Sequence, residues 1–393
     1  MGIIGCMSKI YLDYAATTPV DGHVLDAMLP YFSDMFGNPS SIHRFGQRAE
    51  AALETARETM ARWMDAKPNE IIFTSCGTES DNLALRGGAL AARKHRGANH
   101  LLISPVEHHA VSHTAEQLAH LFGFELEYLP VDRYGMVQPE VVAAHLRPDT
   151  ALVSIILANN EIGTLNPIAE IGAICRARGV PLHTDAVQAG AYLKLDVRAL
   201  NVDLMSIGAH KFYGPKGVGA LYVREGTPLI PTQTGGGQEF NLRAGTSNIP
   251  YIVGMATAFE LAQREIESNT EYLRPLRDRI IGQVLEEVPE AHLTGHPTHR
   301  LPNHASFVFK GVDGNALLAQ LDVAGFACSS GSACKTGLPE PSEVLEAMGL
   351  ARDWALGSLR VTLGKHSTKK EVVDFLEALP PIIHKARQGY QKP

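Results

Sequence analysis

The sequence predicts an α/β protein: a large domain with a mostly parallel sheet flanked by helices, joined to a small α+β domain. Three observations predict it. From about residue 19 to residue 251, short apolar runs alternate with longer amphipathic stretches, the pattern of strand-helix units around a parallel sheet. Beyond residue 288 the pattern changes to polar-apolar alternation. The chain has 393 residues, too many for one ordinary core.

The strands of the large domain are read in order from their apolar runs: Glu70-Ile71-Ile72-Phe73-Thr74, His100-Leu101-Leu102-Ile103-Ser104, Ala151-Leu152-Val153-Ser154-Ile155-Ile156, Gly179-Val180-Pro181-Leu182-His183 and Val202-Asp203-Leu204-Met205-Ser206. Residues 250 to 288 read as one long helix bridging the domains, with apolar residues at helical spacing and no proline between Tyr251 and Leu273. His304-Ala305-Ser306-Phe307-Val308-Phe309 and Ser358-Leu359-Arg360-Val361-Thr362-Leu363 alternate as half-exposed antiparallel strands, and a helix follows from about Thr368. The division is then residues 15–260 for the large domain, and 1–14 with 261–393 for the small one.

Composition narrows the function. Hydrophobic residues at 45% and charged residues at 20% describe a globular chain, and a net charge of −7 without a basic stripe argues against nucleic acid. Five sparse cysteines are unlike a disulfide framework and fit a reducing compartment. No apolar run reaches membrane-span length and no signal-peptide pattern opens the chain, so a cytoplasmic protein acting on a small molecule or a protein partner is expected.

Three segments carry chemistry. At Thr74-Ser75-Cys76-Gly77-Thr78-Glu79 a strand breaks into a helix, and its free N–H groups with the Thr78 hydroxyl could hold a phosphate; taken alone it reads more readily as an ordinary helix cap. Asp185 and Lys211 each end a strand, 26 positions apart, and in a parallel sheet such ends line one crevice. An aspartate beside a lysine suits pyridoxal phosphate, the amine forming a Schiff base and the carboxylate keeping the pyridine nitrogen protonated, although a structural ion pair is the alternative. The glycine-rich run Tyr213 to Gly219 favours a ligand turn. Thirdly, Cys328 to Gly337 is made almost wholly of small residues, so Cys334 should ride a mobile loop, with Lys335 able to lower its pKa. An incidental surface thiol is the other reading. Cys328 is expected to end a strand and be buried. Glu107, His108, His109 and His113 offer no third ligand at a recognised spacing, so no metal is expected.

Together these residues resemble the cysteine desulfurases of the class V aminotransferase group, pyridoxal-phosphate enzymes of fold type I. The resemblance runs from Tyr11-Leu12-Asp13-Tyr14-Ala15-Ala16-Thr17-Thr18 to about Gly364 and includes Phe36-Gly37-Asn38-Pro39-Ser40-Ser41, Thr78-Glu79-Ser80-Asp81-Asn82, Asn159-Asn160-Glu161-Ile162-Gly163, His183 to Gln188 and Arg243-Ala244-Gly245-Thr246. Ser329-Ser330-Gly331-Ser332-Ala333-Cys334 looks like the long-loop subgroup, which includes the iron-sulfur cluster and nitrogenase-maturation enzymes.

The resemblance implies Lys211 as the Schiff-base lysine and Asp185 as partner of the pyridine nitrogen. It places Gln188 and Asn160 at the ring hydroxyl, Asn160 also near the substrate carboxylate, and His108 stacked on the ring to move protons. It gives the phosphate to Gly77, Thr78 and His210, with Thr246 from the second subunit of a homodimer. Arg360 would clamp the substrate carboxylate, and Cys334 would be the nucleophile that takes sulfur from L-cysteine as a persulfide, for delivery to an acceptor such as an iron-sulfur cluster scaffold. A selenocysteine lyase or other class V enzyme, and a non-catalytic cofactor-binding scaffold, are the alternatives. One departure stands out. Gly208 occupies the place where the family usually has a phosphate-binding serine, a missing hydrogen bond worth about 1.5 to 3 kcal/mol.

Overall fold

The computed structural model describes residues 10–330 and 340–390. Strand β1 (Ile10–Tyr11) stands apart from the main sheet. That sheet contains β2 (Ile71–Thr74), β3 (His100–Ile103), β4 (Glu125–Tyr128), β5 (Thr150–Ser154), β6 (Leu182–Asp185), β7 (Leu204–Gly208) and β8 (Gly219–Val223), ordered β2-β8-β7-β6-β5-β3-β4. Pairing is parallel from β7 to β4, whereas β8 runs antiparallel between β2 and β7. Each predicted strand forms at or within a few residues of its apolar run. Two were not foreseen: β4 lies at the sheet edge with charged, partly exposed residues in place of an apolar run, and β8 begins at Gly219, the last residue of the glycine-rich stretch.

Burial on both faces explains the apolar runs, because helices cover the sheet on either side. The helix opening at Gly77 is not uniform: it runs from Gly77 to Asn82, widens into a π-type turn over Leu83–Gly87, and resumes over Gly88–Arg96.

The single long helix expected over 250–288 is instead two, Ile249–Arg264 and Ile266–Glu287. No proline or glycine marks the break at Glu265. Tertiary packing sets it: the first helix lies on the helix Arg44–Met64, and the second turns away to pack on the terminal helix Lys369–Tyr390 and on the small sheet.

That small sheet joins β9 (Ala291–Leu293), β10 (His304–Phe309) and β12 (Ser358–Thr362) in the antiparallel order β12-β10-β9, while β11 (Phe326–Ala327) pairs parallel with β1. β10 and β12 are buried along their whole length, not half-exposed as their alternation predicts. Ala305, Phe307, Leu359 and Val361 enter the main core, which runs continuously from Ile10 to Ala386. The opposite side of these strands is covered as well: Val308 packs with Val106, Ile156 and Ile162 of the large sheet's loops, and Arg360 turns toward the crevice beside them.

Candidate active site

A cavity of about 220 Å³ lies at the carboxyl ends of the parallel strands. Gly77 and Thr78 reach it after β2, His108 after β3, Asn160 after β5, Asp185 and Gln188 from β6, and His210 and Lys211 after β7, with Arg360 closing it from β12. Of the predicted site residues, all but two therefore meet in one space. Thr246 is exposed and outside it, in a segment tied back by Arg243 Nε donating to Glu79 Oε1 at 2.8 Å. Cys334 lies outside the described residues.

Where the cavity meets the helix start after β2, Gly77 is required by a close approach. A Cβ there would stand 2.7 Å from Val187 Cγ2. Gly219 in β8 is equally constrained, since its Cβ would come within 2.6 Å of the Cys76 backbone that leads into the helix. Cys76 caps that helix, its sulfur accepting the Glu79 N–H at 3.4 Å. His210 is pushed down to about 4 by burial, then by Lys211 and Lys216, so its ring is neutral at physiological pH. Its Nδ1 lies 3.2 Å from Thr17 Oγ1. Gly208 leaves room: a Cβ would meet only ordinary contacts, at 3.5 Å from the Gly77 nitrogen and 3.5 Å from Val187 Cγ1.

Lys211 ends a short turn after β7 and donates to the carbonyls of Ala15 and Ala16, the latter at 2.8 Å. Burial, then Arg360, pushes its amine down to about 8, against the pull of Asp185 and Asp13. Asp185 accepts the Val187 N–H at 2.8 Å, and burial raises its carboxyl while His108 and Lys211 hold it back. Beneath it Asp81 is buried, its Oδ1 without a hydrogen bond among the described residues and 3.6 Å from His183 Nε2, and is raised well above the usual carboxylate range by burial and by Asp185. Gln188 Nε2 donates to the Ala15 carbonyl at 2.8 Å. His108 caps the helix His109–Phe122 by accepting the Ala110 N–H on Nδ1 at 3.1 Å, which leaves Nε2 as the ring's donor.

His108 also borders a second cavity of about 450 Å³, lined by Asn160 and Glu161 and by Ser330 and Ser342, which stand on either side of Cys334 in the sequence. There Ser342 donates to Glu161, whose carboxyl burial pushes up to about 7. Cys328 follows β11 as expected but is only partly buried; burial and the Asp13 carboxylate push its thiol up. Sequence reading assigns no role to Asp13, Asp81 or Glu161. Their neighbours come from distant segments, so no local spacing signals them.

Pyridoxal phosphate fits this residue set: a glycine-lined helix start for an anion, a buried carboxyl pair beneath the cavity with one oxygen lacking a hydrogen bond among the described residues, and a lysine of lowered basicity. Among known proteins, the cysteine desulfurase IscS of Methanosarcina thermophila is 48% identical over 378 residues, covering 96% of this chain and 93% of that protein. The cysteine desulfurase IscS of Dictyoglomus turgidum is 48% identical over 379 residues, 96% and 95% of the two chains. A solved NifS-like protein superposes with a TM-score of 0.89 at 37% identity, over 96% of this chain and 100% of that one, so the fold is that of the pyridoxal-phosphate enzymes of fold type I. The class-V aminotransferase family matches residues 10–375, and with these relatives it establishes that the chain belongs to that family.

Proposed function

We propose that this chain is a cysteine desulfurase: it binds pyridoxal phosphate, removes sulfur from L-cysteine and leaves it as a persulfide on Cys334, releasing L-alanine. The observation that carries this reading is that Lys211, Asp185, His108 and Arg360 line one cavity, in a chain whose relatives bear that name. The reaction balances without a further reagent. The sulfur atom of L-cysteine joins the Cys334 sulfur, its bond to carbon breaks, and the carbon takes a proton to become alanine.

Bound pyridoxal phosphate supplies an electron sink for charge that develops on the substrate carbon. Lys211 anchors it and then acts as a base, for which an amine pushed down to about 8 is suited, roughly one molecule in ten being neutral at pH 7. Asp185 would pair with the ring nitrogen, and Asn160 and Gln188 would hold the ring hydroxyl. Gly77, Thr78 and His210 would hold the phosphate. Arg360 orients the substrate through its carboxylate with the planar fork of its guanidinium. His108, with its Nε2 proton and its place on the border of both cavities, moves protons between the substrate and the segment carrying Cys334.

The functional unit in this reading is a homodimer, in which Thr246 completes the phosphate site of the other subunit. An acceptor protein, such as an iron-sulfur cluster scaffold, collects the sulfur. Among the described residues, no helix is long and apolar enough to cross a membrane. The test is alanine and sulfide formation from L-cysteine with a thiol reductant, for the parent and for Cys334→Ser. Both products should appear only with Cys334 intact; sulfide at the parent rate from the variant removes Cys334 from the mechanism.

A further inference from the structure

Arg360 is held by more than its own strand. Its Nη1 donates to the Asn160 carbonyl at 2.8 Å, its Nη2 donates to Asp13 Oδ1 at 2.9 Å, and its Nε is buried without a hydrogen-bond partner among the described residues. Asp13 follows β1 and reaches this place through a backbone bridge to Thr362, beside which the Thr362 N–H donates to the Leu12 carbonyl at 2.8 Å. The second oxygen of the same carboxylate accepts from Ser329 Oγ at 3.1 Å. Ser329 closes the ring: the Arg360 N–H donates to its carbonyl at 2.7 Å and its own N–H donates back at 3.3 Å. One carboxylate therefore fixes both a guanidinium and the backbone five residues before Cys334.

A long, rotamer-rich arginine grips a carboxylate in two-point fashion only if its plane is already set. Two fixed acceptors, one on each terminal nitrogen, set the plane of Arg360 and leave Nε unused. The charges agree with this arrangement. Arg360 repels the Lys211 ammonium, and Asp13 opposes that effect.

We propose that Asp13 is the positioning residue for substrate-carboxylate recognition, holding the Arg360 fork in the orientation that selects amino acids over amines lacking a carboxylate. This rests on the reading of Arg360 as the carboxylate clamp.

The experiment titrates holoenzyme with L-cysteine and with cysteamine, following the absorption of the bound cofactor, in a Cys334→Ser background that keeps sulfur on the ligand. The measured quantity is the ratio of the two dissociation constants. Asp13→Asn preserves shape but not charge, and should reduce the preference for L-cysteine about tenfold, the loss of one charge-assisted contact in the clamp. Asp13→Ser replaces it if Asn lacks the cofactor band, with the same expectation. Arg360→Ala is measured alongside. Loss of preference in both variants supports the proposal. A preference that survives in the Asp13 variant but collapses in Arg360→Ala overturns the proposal and leaves the clamp standing. A preference that rises in the Asp13 variant also overturns it, since Asp13 then competes with substrate. Survival in both variants removes the clamp itself, and the proposal with it.

Discussion

At Lys211, burial beside Arg360 outweighs the attraction of Asp185 and Asp13, and this balance gives an amine of lowered basicity, as the proposed Schiff-base and proton-transfer roles require. Purified Lys211→Ala protein should lack the yellow colour of bound cofactor, and a visible band that survives dialysis would reassign the anchoring lysine. At Gly208 there is space for a side chain beside the Gly77 nitrogen, so Gly208→Ser should tighten pyridoxal-phosphate binding by about tenfold or more, about 1.5 to 3 kcal/mol for one hydrogen bond to a charged group. Fluorescence titration of the cofactor-free protein measures it, and weaker binding would mean that the cradle is already full. Glu161 gives a pH dependence. Burial raises its carboxyl from 4.5 to about 7, so between those values the folded chain keeps a proton that the unfolded chain has lost. Its contribution to stability is full below 4.5 and is lost as pH rises through 7. Glu161→Gln cannot ionise, so its melting temperature should gain on the parent's as pH increases, and a constant difference would count against a buried, protonated Glu161. Asp185, which ends β6, and Lys211, three residues beyond β7, are legible in sequence because apolar runs announce the strand before them. Asp13, Asp81 and Glu161 are not, because each owes its character to a neighbour far away in the chain.

At the level of elements, β10 and β12 show where alternation misleads. Their polar residues do not face water: Arg360 lines the crevice and His304 Nε2 lies 3.2 Å from the Asn160 carbonyl. Period-two patterning reports that two faces differ, not that one of them is wet. Phe307 on the opposite face is fully buried, and Phe307→Ala should cost about 3 to 5 kcal/mol, measured by urea unfolding. The same limit applies to the helices over 249–287. Propensity along them is uninterrupted at Glu265, and only the competing surfaces of Arg44–Met64 and Lys369–Tyr390 divide them. Strand β4 escaped notice for the converse reason, since an edge strand needs no apolar run.

For the whole molecule, Leu25, Leu29, Phe32, Phe36, Ile42 and Phe45 are all exposed within one short stretch of chain, with the rings of Phe36 and Phe45 5.7 Å apart. Exposed apolar residues concentrated this way mark an interface, and the homodimer reading gives them a partner. Phe36→Glu with Ile42→Glu should move sedimentation from dimer to monomer, and a dimer unchanged by both places the interface elsewhere. The contact between Asp13 and Arg360 joins positions 347 residues apart, and β1 pairs with β11 across a comparable span. During synthesis on a ribosome the large sheet is complete once β8 has emerged, yet the crevice at its edge stays open on one side until β12 follows. A nascent chain thus presents Lys211 and Asp185 well before it acquires Arg360, and on the proposed roles of these residues cofactor capture and substrate recognition become available at different moments in the birth of the protein.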